Sequence, residues 1–371
     1  MKITDIRIRA YSAPYKKPIS NGKYTYAATE IVICEVFTDE GITGVGWTHG
    51  SKLVIDTMLS LHERVIGQDP FNVERIWSLM YLPKVYGRKG FETRAISAID
   101  IALWDIRGKV AGRSVHQLLG GYHDTIPAYI AGGYYEPDKG YHELREEVRK
   151  YLASGAKAIK MKIGAASIKV DLERIDAVRD VIGPDIKLLV DANNAYNRVE
   201  ALKIGRELDK RDIFWFEEPL NPEDLEGCAE LRRKIDTPIA VGENEYTVWG
   251  FKQLIDNQVA QIINADAQVL GGITEWKKVA DLAIASHILV APHGDQEIHV
   301  HLVSSVPNGL IAEYYDNNTN ALLKEMFSEP MKLDANGHLK PSYKPGLGVT
   351  INYEQIEKYL TFSSDKNDPK Y

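Results

Sequence analysis

Asp191, Glu217 and Glu243 recur 26 residues apart, each at the end of a short apolar run. Three carboxylates brought together repel one another and take up protons unless a cation neutralises them. A donor set of oxygen alone, with no Cys or His, suits a hard divalent ion, magnesium rather than zinc. Upstream stands Lys160-Met161-Lys162, in a run that is otherwise apolar. Alternate side chains of a strand share a face, so the two lysines point one way and Ile159, Met161 and Ile163 the other. Alone, the pair reads as a solvated strand edge. The three carboxylates downstream give it a use: a metal beside an ammonium polarises a substrate carboxylate. Positive charge placed there stabilises the enediolate left when the α-proton is removed. In this reading Lys160 is the fixed cation, and Lys162 is a candidate base whose proton affinity Lys160 and the metal lower. His293 is a candidate acid or base on the opposite side, with Asp266 bonded to its other ring nitrogen. Glu313, if protonated, donates a hydrogen bond to the second carboxylate oxygen.

Such residues need a scaffold that brings distant strand ends together. From about Ile126 short apolar strands alternate with amphipathic helices. The expected strands are Pro127–Ala131, Ala156–Ile163, Lys187–Asp191, Ile213–Glu217, Ile239–Glu243, Gln261–Ala265, Ile288–Pro292 and Leu310–Glu313. The helices between them include Tyr141–Ala153, Ile168–Ile182, Val199–Lys210, Asp224–Lys234, Thr247–Asn257, Thr274–Ser286 and Gln296–Ser305. Eight such units, without a Gly-rich phosphate turn after the first strand, predict a closed (β/α)8 barrel of the TIM type rather than an open doubly wound sheet. Chemistry in that barrel sits at the C-terminal strand ends, where the residues above fall. Alternation sets Glu218 away from Glu217.

Residues 1–122 read differently. Strands near Ile3–Ile8, Glu30–Thr38 and Ile42–Thr48 precede helices at 52–66, 71–82 and 93–110, an α+β pattern. A polar loop is expected at Lys16–Thr25. The division is a capping domain over 1–122, the barrel over 123–317, and a tail over 318–371 that returns to the cap. A short strand is expected at Val349–Asn352, and a frayed end from Ser363 to Tyr371.

The chain has 371 residues, 44% hydrophobic and 26% charged, with a formal charge of −7. That balance argues against a nucleic-acid or membrane-surface role. Two cysteines, Cys34 and Cys228, with no CxxC, fit a reducing cytoplasm, and no run is long enough for a transmembrane helix.

Taken together, Lys160-Met161-Lys162, Asp191 with Asn193, Glu217-Glu218-Pro219, Gly242-Glu243-Asn244, Asp266 with Gly271-Gly272-Ile273-Thr274, Pro292-His293 and Glu313 resemble the enolase superfamily, in its mandelate-racemase-like subgroup. Ala98 to Asp105 resembles the last capping-domain helix of that family. The resemblance implies Lys162 as base on one face and the His293–Asp266 dyad on the other. It implies Asp191, Glu217 and Glu243 as Mg2+ ligands, Glu313 and Lys160 at the substrate carboxylate, and a symmetric homo-oligomer.

The reaction then depends on the step after proton removal. Loss of a β-hydroxyl gives dehydration, loss of a ring oxygen or lactone gives cycloisomerisation, and return of the proton to the other face gives epimerisation or racemisation. The cap loops Ile19–Tyr26 and Trp47–Ser51 are polar, which suits a polyhydroxylated acid. An acid-sugar dehydratase, acting on an aldonate or aldarate, is therefore expected. Tyr24, His49 and Asn193 are its expected substrate contacts. The alternative of another class is an inactive barrel used for binding, against which the intact lysine, histidine and carboxylates argue.

Overall fold

The computed structural model describes residues 1–316 and 321–365. The expected boundary at 317/318 and the part of the expected frayed end from 366 to 371 lie outside the described residues.

The chain opens with three antiparallel strands, β1 (Ile3–Ser20), β2 (Thr25–Thr38) and β3 (Thr43–His49). They pack on the helix Phe91–Ala111, whose middle is buried on almost every side. Contact is close because β3 carries glycines where it crosses the helix. A Cβ at Gly46 would lie 2.1 Å from the Ala98 carbonyl oxygen. The polar loop expected at Lys16–Thr25 is mostly strand. β1 runs on to Ser20 and pairs Ile19 with Tyr26 after a register shift, leaving a turn of Asn21 to Tyr24. The Asn21 side chain accepts the amides of Lys23 and Tyr24, which closes that turn. The Asn-Gly signal marked the turn, but the polar flanks form a two-stranded ribbon because each is paired and needs no buried face.

Eight parallel strands among the described residues come next: β4 (Ile126–Gly132), β5 (Ala158–Lys162), β6 (Lys187–Asp191), β7 (Ile213–Glu217), β8 (Ile239–Val241), β9 (Ile262–Ile263), β10 (Leu289–Val290) and β11 (Ala312–Tyr314). They lie side by side in the order β10-β9-β8-β7-β6-β5-β4-β11. A parallel bridge from Val290 to Gly309, just before β11, closes the ring. Tyr141–Ala153 and Ile168–Ile182 are helices with the expected bounds.

The two faces of each strand separate as a period of two demands. Tyr129, Ala131, Ala158, Leu189, Trp215, Ala240 and Ile262 form one buried cluster, the filling of the barrel. Ile159, Met161, Ile163, Leu188, Val190 and Phe216 belong to the larger core shared with the helices. In β5 the inward positions are thus Ala158, Lys160 and Lys162, with small alanine at the bottom and the two ammoniums above.

In the tail, β12 (His338–Leu339) adds antiparallel to β4, and β13 (Leu360–Ser363) pairs with β1. The strand expected at Val349–Asn352 shrinks to one bridge, Ile351 to Phe327. The pairing that anchors the tail falls later, where Leu360 is buried.

Candidate active site

Every carboxylate and lysine singled out above stands on an inward or rim position of consecutive strands. Lys162 pairs in register with Asp191, and Asp191 with Glu217. One oxygen from each of Asp191, Glu217 and Glu243 lies within 4.8 Å of the others. Trp215, two residues below Glu217 on the same face, donates its indole N–H to Glu217 Oε2 at 2.8 Å. Asn193 holds a left-handed backbone conformation, φ +43°. It gives its amide to Asp191 Oδ1 at 2.8 Å and its side-chain N–H to Glu243 Oε1 at 3.3 Å. Asn193 therefore orients two of the carboxylates, while its own Oδ1 is buried without a hydrogen-bond partner among the described residues.

The triad carries the electrostatic conflict expected of it. Burial pushes the Glu217 carboxyl up to about 8; Lys160 opposes this, while Asp191, Glu243 and Glu313 add to it. Glu243 Oε2 is buried with no hydrogen-bond partner among the described residues. An orphaned carboxylate oxygen beside two further carboxylates, with oxygen as the donor throughout, fits a hard divalent cation. Glu218 takes no part. Its φ is +42°, and its carboxyl turns to the amides of Asn194 and Asn244 at 2.8 Å. Burial, then Glu243 and Asp191, raise its pKa well above the usual range.

Lys160 is fully buried, with Nζ 2.8 Å from Glu217 Oε1 and 2.9 Å from Glu313 Oε1. Burial opposes its charge, but Glu217 and Glu313 outweigh burial and hold the ammonium charged. The same contact corrects the reading of Glu313 as a protonated donor. Burial works to raise the Glu313 pKa, yet Lys160, His293 and Lys162 together bring it below the usual value. Lys162 also departs from expectation. Its Nζ lies 2.5 Å from Asp191 Oδ2. Burial and Lys160 act to lower its pKa, but Asp191 carries it upward. The expected lowering needs Asp191 to be neutralised first.

Across the barrel His293 Nδ1 bonds Asp266 Oδ2 at 2.9 Å, and Nε2 faces Glu243 at 3.7 Å and Glu313 at 3.8 Å. Burial would lower the imidazole pKa; Glu243, Glu313 and Asp266 outweigh it and push it up to about 10. Asp266 is drawn below the usual carboxylate range: burial acts to raise it, but His293 and His299 prevail. His299 Nε2 accepts the Ala267 amide at 2.9 Å and its Nδ1 bonds the Asp295 carbonyl, which fixes that ring beneath the dyad.

The cap completes the mouth. A Cβ at Gly22 would lie 2.3 Å from the Ala192 carbonyl oxygen and 2.7 Å from that of Ile163, so the β1–β2 turn rests directly on the ends of β5 and β6. Tyr26, whose hydroxyl accepts from Asn21, feels the charges of Lys162, Glu243 and Asp191. Tyr24, the expected contact, is 52% exposed and makes no side-chain hydrogen bond with a described residue. Its ring meets Lys23 and Tyr26. His49 Nε2 lies 3.2 Å from Asp295 Oδ1 at the rim.

Three neighbours were not anticipated. Lys162 Nζ sits over the Tyr134 ring at 5.3 Å, Tyr315 places its hydroxyl 3.5 Å from His293 Nε2, and Asp295 ties His49, Trp47 and Gln268 together. Tyr315 follows Glu313 by two, so strand periodicity would have found it. Tyr134 lies beyond both the expected strand end at Ala131 and the observed end of β4 at Gly132. Asp295 follows His293 in a turn, where no period operates.

Residues 3–120 match the family described as mandelate racemase / muconate lactonizing enzyme, N-terminal domain, and residues 143–356 match enolase C-terminal domain-like. The chain belongs to the mandelate racemase/muconate lactonizing enzyme family. It is 36% identical to an arabinonate dehydratase of Saccharolobus solfataricus, over 89% of this chain and 90% of that protein. It is 34% identical to a 3,6-anhydro-alpha-L-galactonate cycloisomerase of Streptomyces coelicolor, over 88% and 90%. Among solved structures of the family, the L-talarate/galactarate dehydratase of Salmonella typhimurium superposes with a TM-score of 0.91 at 29% identity, over 98% of this chain and 92% of that one. A variant of the same family member, also at 0.91, was solved with magnesium and L-glucarate.

Proposed function

We propose that this protein removes the proton α to the carboxylate of an acid sugar and expels the β-hydroxyl as water, releasing a 2-keto-3-deoxy acid. The observation that carries this reading is the placement of two proton-transfer groups about one carboxylate cluster. Lys162 stands beside Asp191, and the His293–Asp266 dyad faces Glu243 from the other side. The dehydratase names of the relatives in Saccharolobus solfataricus and Salmonella typhimurium support it.

Asp191, Glu217 and Glu243 would hold Mg2+, the ion in the solved relative. When bound, the ion supplies Lewis acidity at the substrate carboxylate. Lys160 places a fixed positive charge where the enediolate charge develops. With the Asp191 charge neutralised, burial and Lys160 both lower the Lys162 pKa, so the amine can take a proton. His293, charged and oriented by Asp266, delivers a proton to the departing β-hydroxyl. The resulting enol tautomerises to the 2-keto acid. Lys160 lies between Glu313 and the triad, so Glu313 fixes the cation and borders the substrate carboxylate.

This reading keeps a cap over 1–122, a barrel over 123–317 and a returning tail over 318–371. It carries a homo-oligomer from the family resemblance. It also carries a cytoplasmic location, which the free buried cysteines Cys34 and Cys228 fit. Cycloisomerisation is the second reading, on the strength of the Streptomyces coelicolor relative; both share the first proton removal.

NMR of aldonates and aldarates in D2O tests the proposal. The α-proton is expected to exchange, and a 2-keto-3-deoxy acid to accumulate, with magnesium and not after EDTA treatment. Exchange with a cyclised product would select the second reading. No exchange with any acid sugar would overturn both.

A further inference from the structure

We infer that His49 and Arg94 form an anion subsite on the cap that takes the second carboxylate of a dicarboxylic acid sugar, so that aldarates are preferred to aldonates. The inference rests on the acid-sugar reading above and assigns the substrate class within it.

His49 is the last residue of β3, and its ring reaches from the cap to the barrel. Nε2 is 3.2 Å from Asp295 Oδ1, and Asp295 is buried to 1% exposure. Asp295 also accepts the Trp47 indole N–H at 2.7 Å and a Gln268 side-chain N–H at 3.1 Å. It follows His293 by two residues, while the Gln268 amide bonds Asp266. His49 is therefore fixed on the same stretch of rim as the His293–Asp266 dyad. With Nε2 occupied, Nδ1 has no hydrogen-bond partner among the described residues, and 41% of the side chain stays exposed.

Arg94 stands in the first turn of the helix Phe91–Ala111. It donates Nη1 to the His49 carbonyl oxygen at 3.3 Å. It is half-buried, yet it forms no ion pair with a carboxylate among the described residues. Partial burial of an unpaired guanidinium is unfavourable, and its planar fork of donors matches a carboxylate. The remaining anions nearby are already engaged: Asp295 by three donors, Asp266 by His293. Burial and Arg94 act against charge on His49, but Asp295 and Asp266 outweigh them and raise its pKa. The end of β3 thus sets His49, bonded to Asp295, beside Arg94, whose charge no carboxylate among the described residues balances. An incoming carboxylate would complete that charge balance. The terminal CH2OH of an aldonate would leave Arg94 unpaired.

The test is calorimetric, on the full magnesium-loaded chain with Lys162→Ala to prevent turnover. Galactarate is compared with D-galactonate, and D-glucarate with D-gluconate; each pair differs only in the terminal group. In at least one pair the aldarate is expected to bind about 10-fold or more tightly than its aldonate. Arg94→Gln, added to that background, should weaken the aldarate by about 10- to 100-fold and leave the aldonate within a factor of about three. His49→Asn, which keeps a polar group toward Asp295, should reduce the same preference, and thermal melting of both variants separates misfolding from lost recognition. Equal or tighter binding of the aldonates, or equal weakening of both members of a pair by Arg94→Gln, overturns the inference and leaves the acid-sugar reading standing. Failure of every acid to bind overturns that reading, and this inference with it.

Discussion

At the scale of single residues, the site works by pairing charges that would be unstable alone. Lys160 and Lys162 stand two residues apart and share Asp191, at 3.8 Å and 2.5 Å, but Lys160 sits closest to Glu217 and Glu313, at 2.8 Å and 2.9 Å. Their roles separate for that reason. Lys162→Ala and His293→Asn should each lower dehydration by about 10²- to 10⁴-fold, the usual worth of a positioned acid or base. If His293→Asn kept full turnover while α-exchange continued, His293 would not be the acid. The neighbours Glu217 and Glu218 offer a sharper contrast. Glu217→Gln should weaken Mg2+ binding by at least about 10-fold, since even changes behind metal ligands cost that much. Glu218→Gln, whose site already holds a carboxyl that burial disfavours as an anion, should leave affinity nearly unchanged. Titration of the two purified variants with magnesium reads the difference directly. Strand alternation in the sequence leads to the same expectation. The tyrosines did not follow so simply: Tyr24 and Tyr26 stand on one polar stretch of the sequence, and only the seating of the turn on β5 and β6 sets Tyr26 among the charges.

At the scale of elements, the segment joining β9 to the helix Gly272–Ala285 carries Asp266 and Gln268, and the cap holds it from above. Asp100 accepts the Thr274 amide at 2.9 Å and its hydroxyl at 2.6 Å. Trp104 donates to the same hydroxyl, Ser97 accepts the Gly271 amide, and Trp77 donates to the Gly271 carbonyl. Asp100→Ala would leave a buried amide without its acceptor, at a cost of about 1–3 kcal/mol. A lower melting temperature is expected, together with a lower kcat, because the His293–Asp266 dyad hangs on that segment. Unchanged kcat at lower stability would show that the dyad is positioned from the barrel alone. The strand and helix alternation was legible from period and turn residues; the latch was not. Ala98 to Asp105 is apolar enough to read as a core helix, and nothing local says that Asp100 caps a helix 174 residues away.

At the scale of the whole molecule, three segments distant in sequence meet at His301. Its Nδ1 accepts the His116 amide at 3.3 Å, and its Nε2 donates to the Leu347 carbonyl at 3.0 Å. The ring must be neutral to do both, and burial lowers its pKa to about 4. A depressed folded-state value means that the stabilisation is present above the unfolded value of 6.5 and is lost as pH falls toward 4. The loss across that window is of order 3 kcal/mol. Melting curves from pH 7 to pH 4 should therefore fall more steeply for the native chain than for His301→Gln, which has no proton to gain. Parallel slopes would show that His301 does not carry this dependence.

The amino-acid sequence by itself determined the alternation of strands and helices, the inward side of each strand, and the equal spacing of Asp191, Glu217 and Glu243. These are local or periodic properties: a strand repeats every two residues and each β/α unit adds one more strand end to the ring. Only the tertiary structure decided how the charges pair and what the cap contributes. The extended β1–β2 ribbon, the seating of Gly22 on two backbone carbonyls, and the meeting of His49 with Asp295 and with Arg94 all depend on contacts between segments far apart in the chain. The opposing pull of Asp191 on Lys162 was illegible for the same reason. Its base strength depends on the distance to Asp191 on the next strand, and spacing along one strand does not contain that distance.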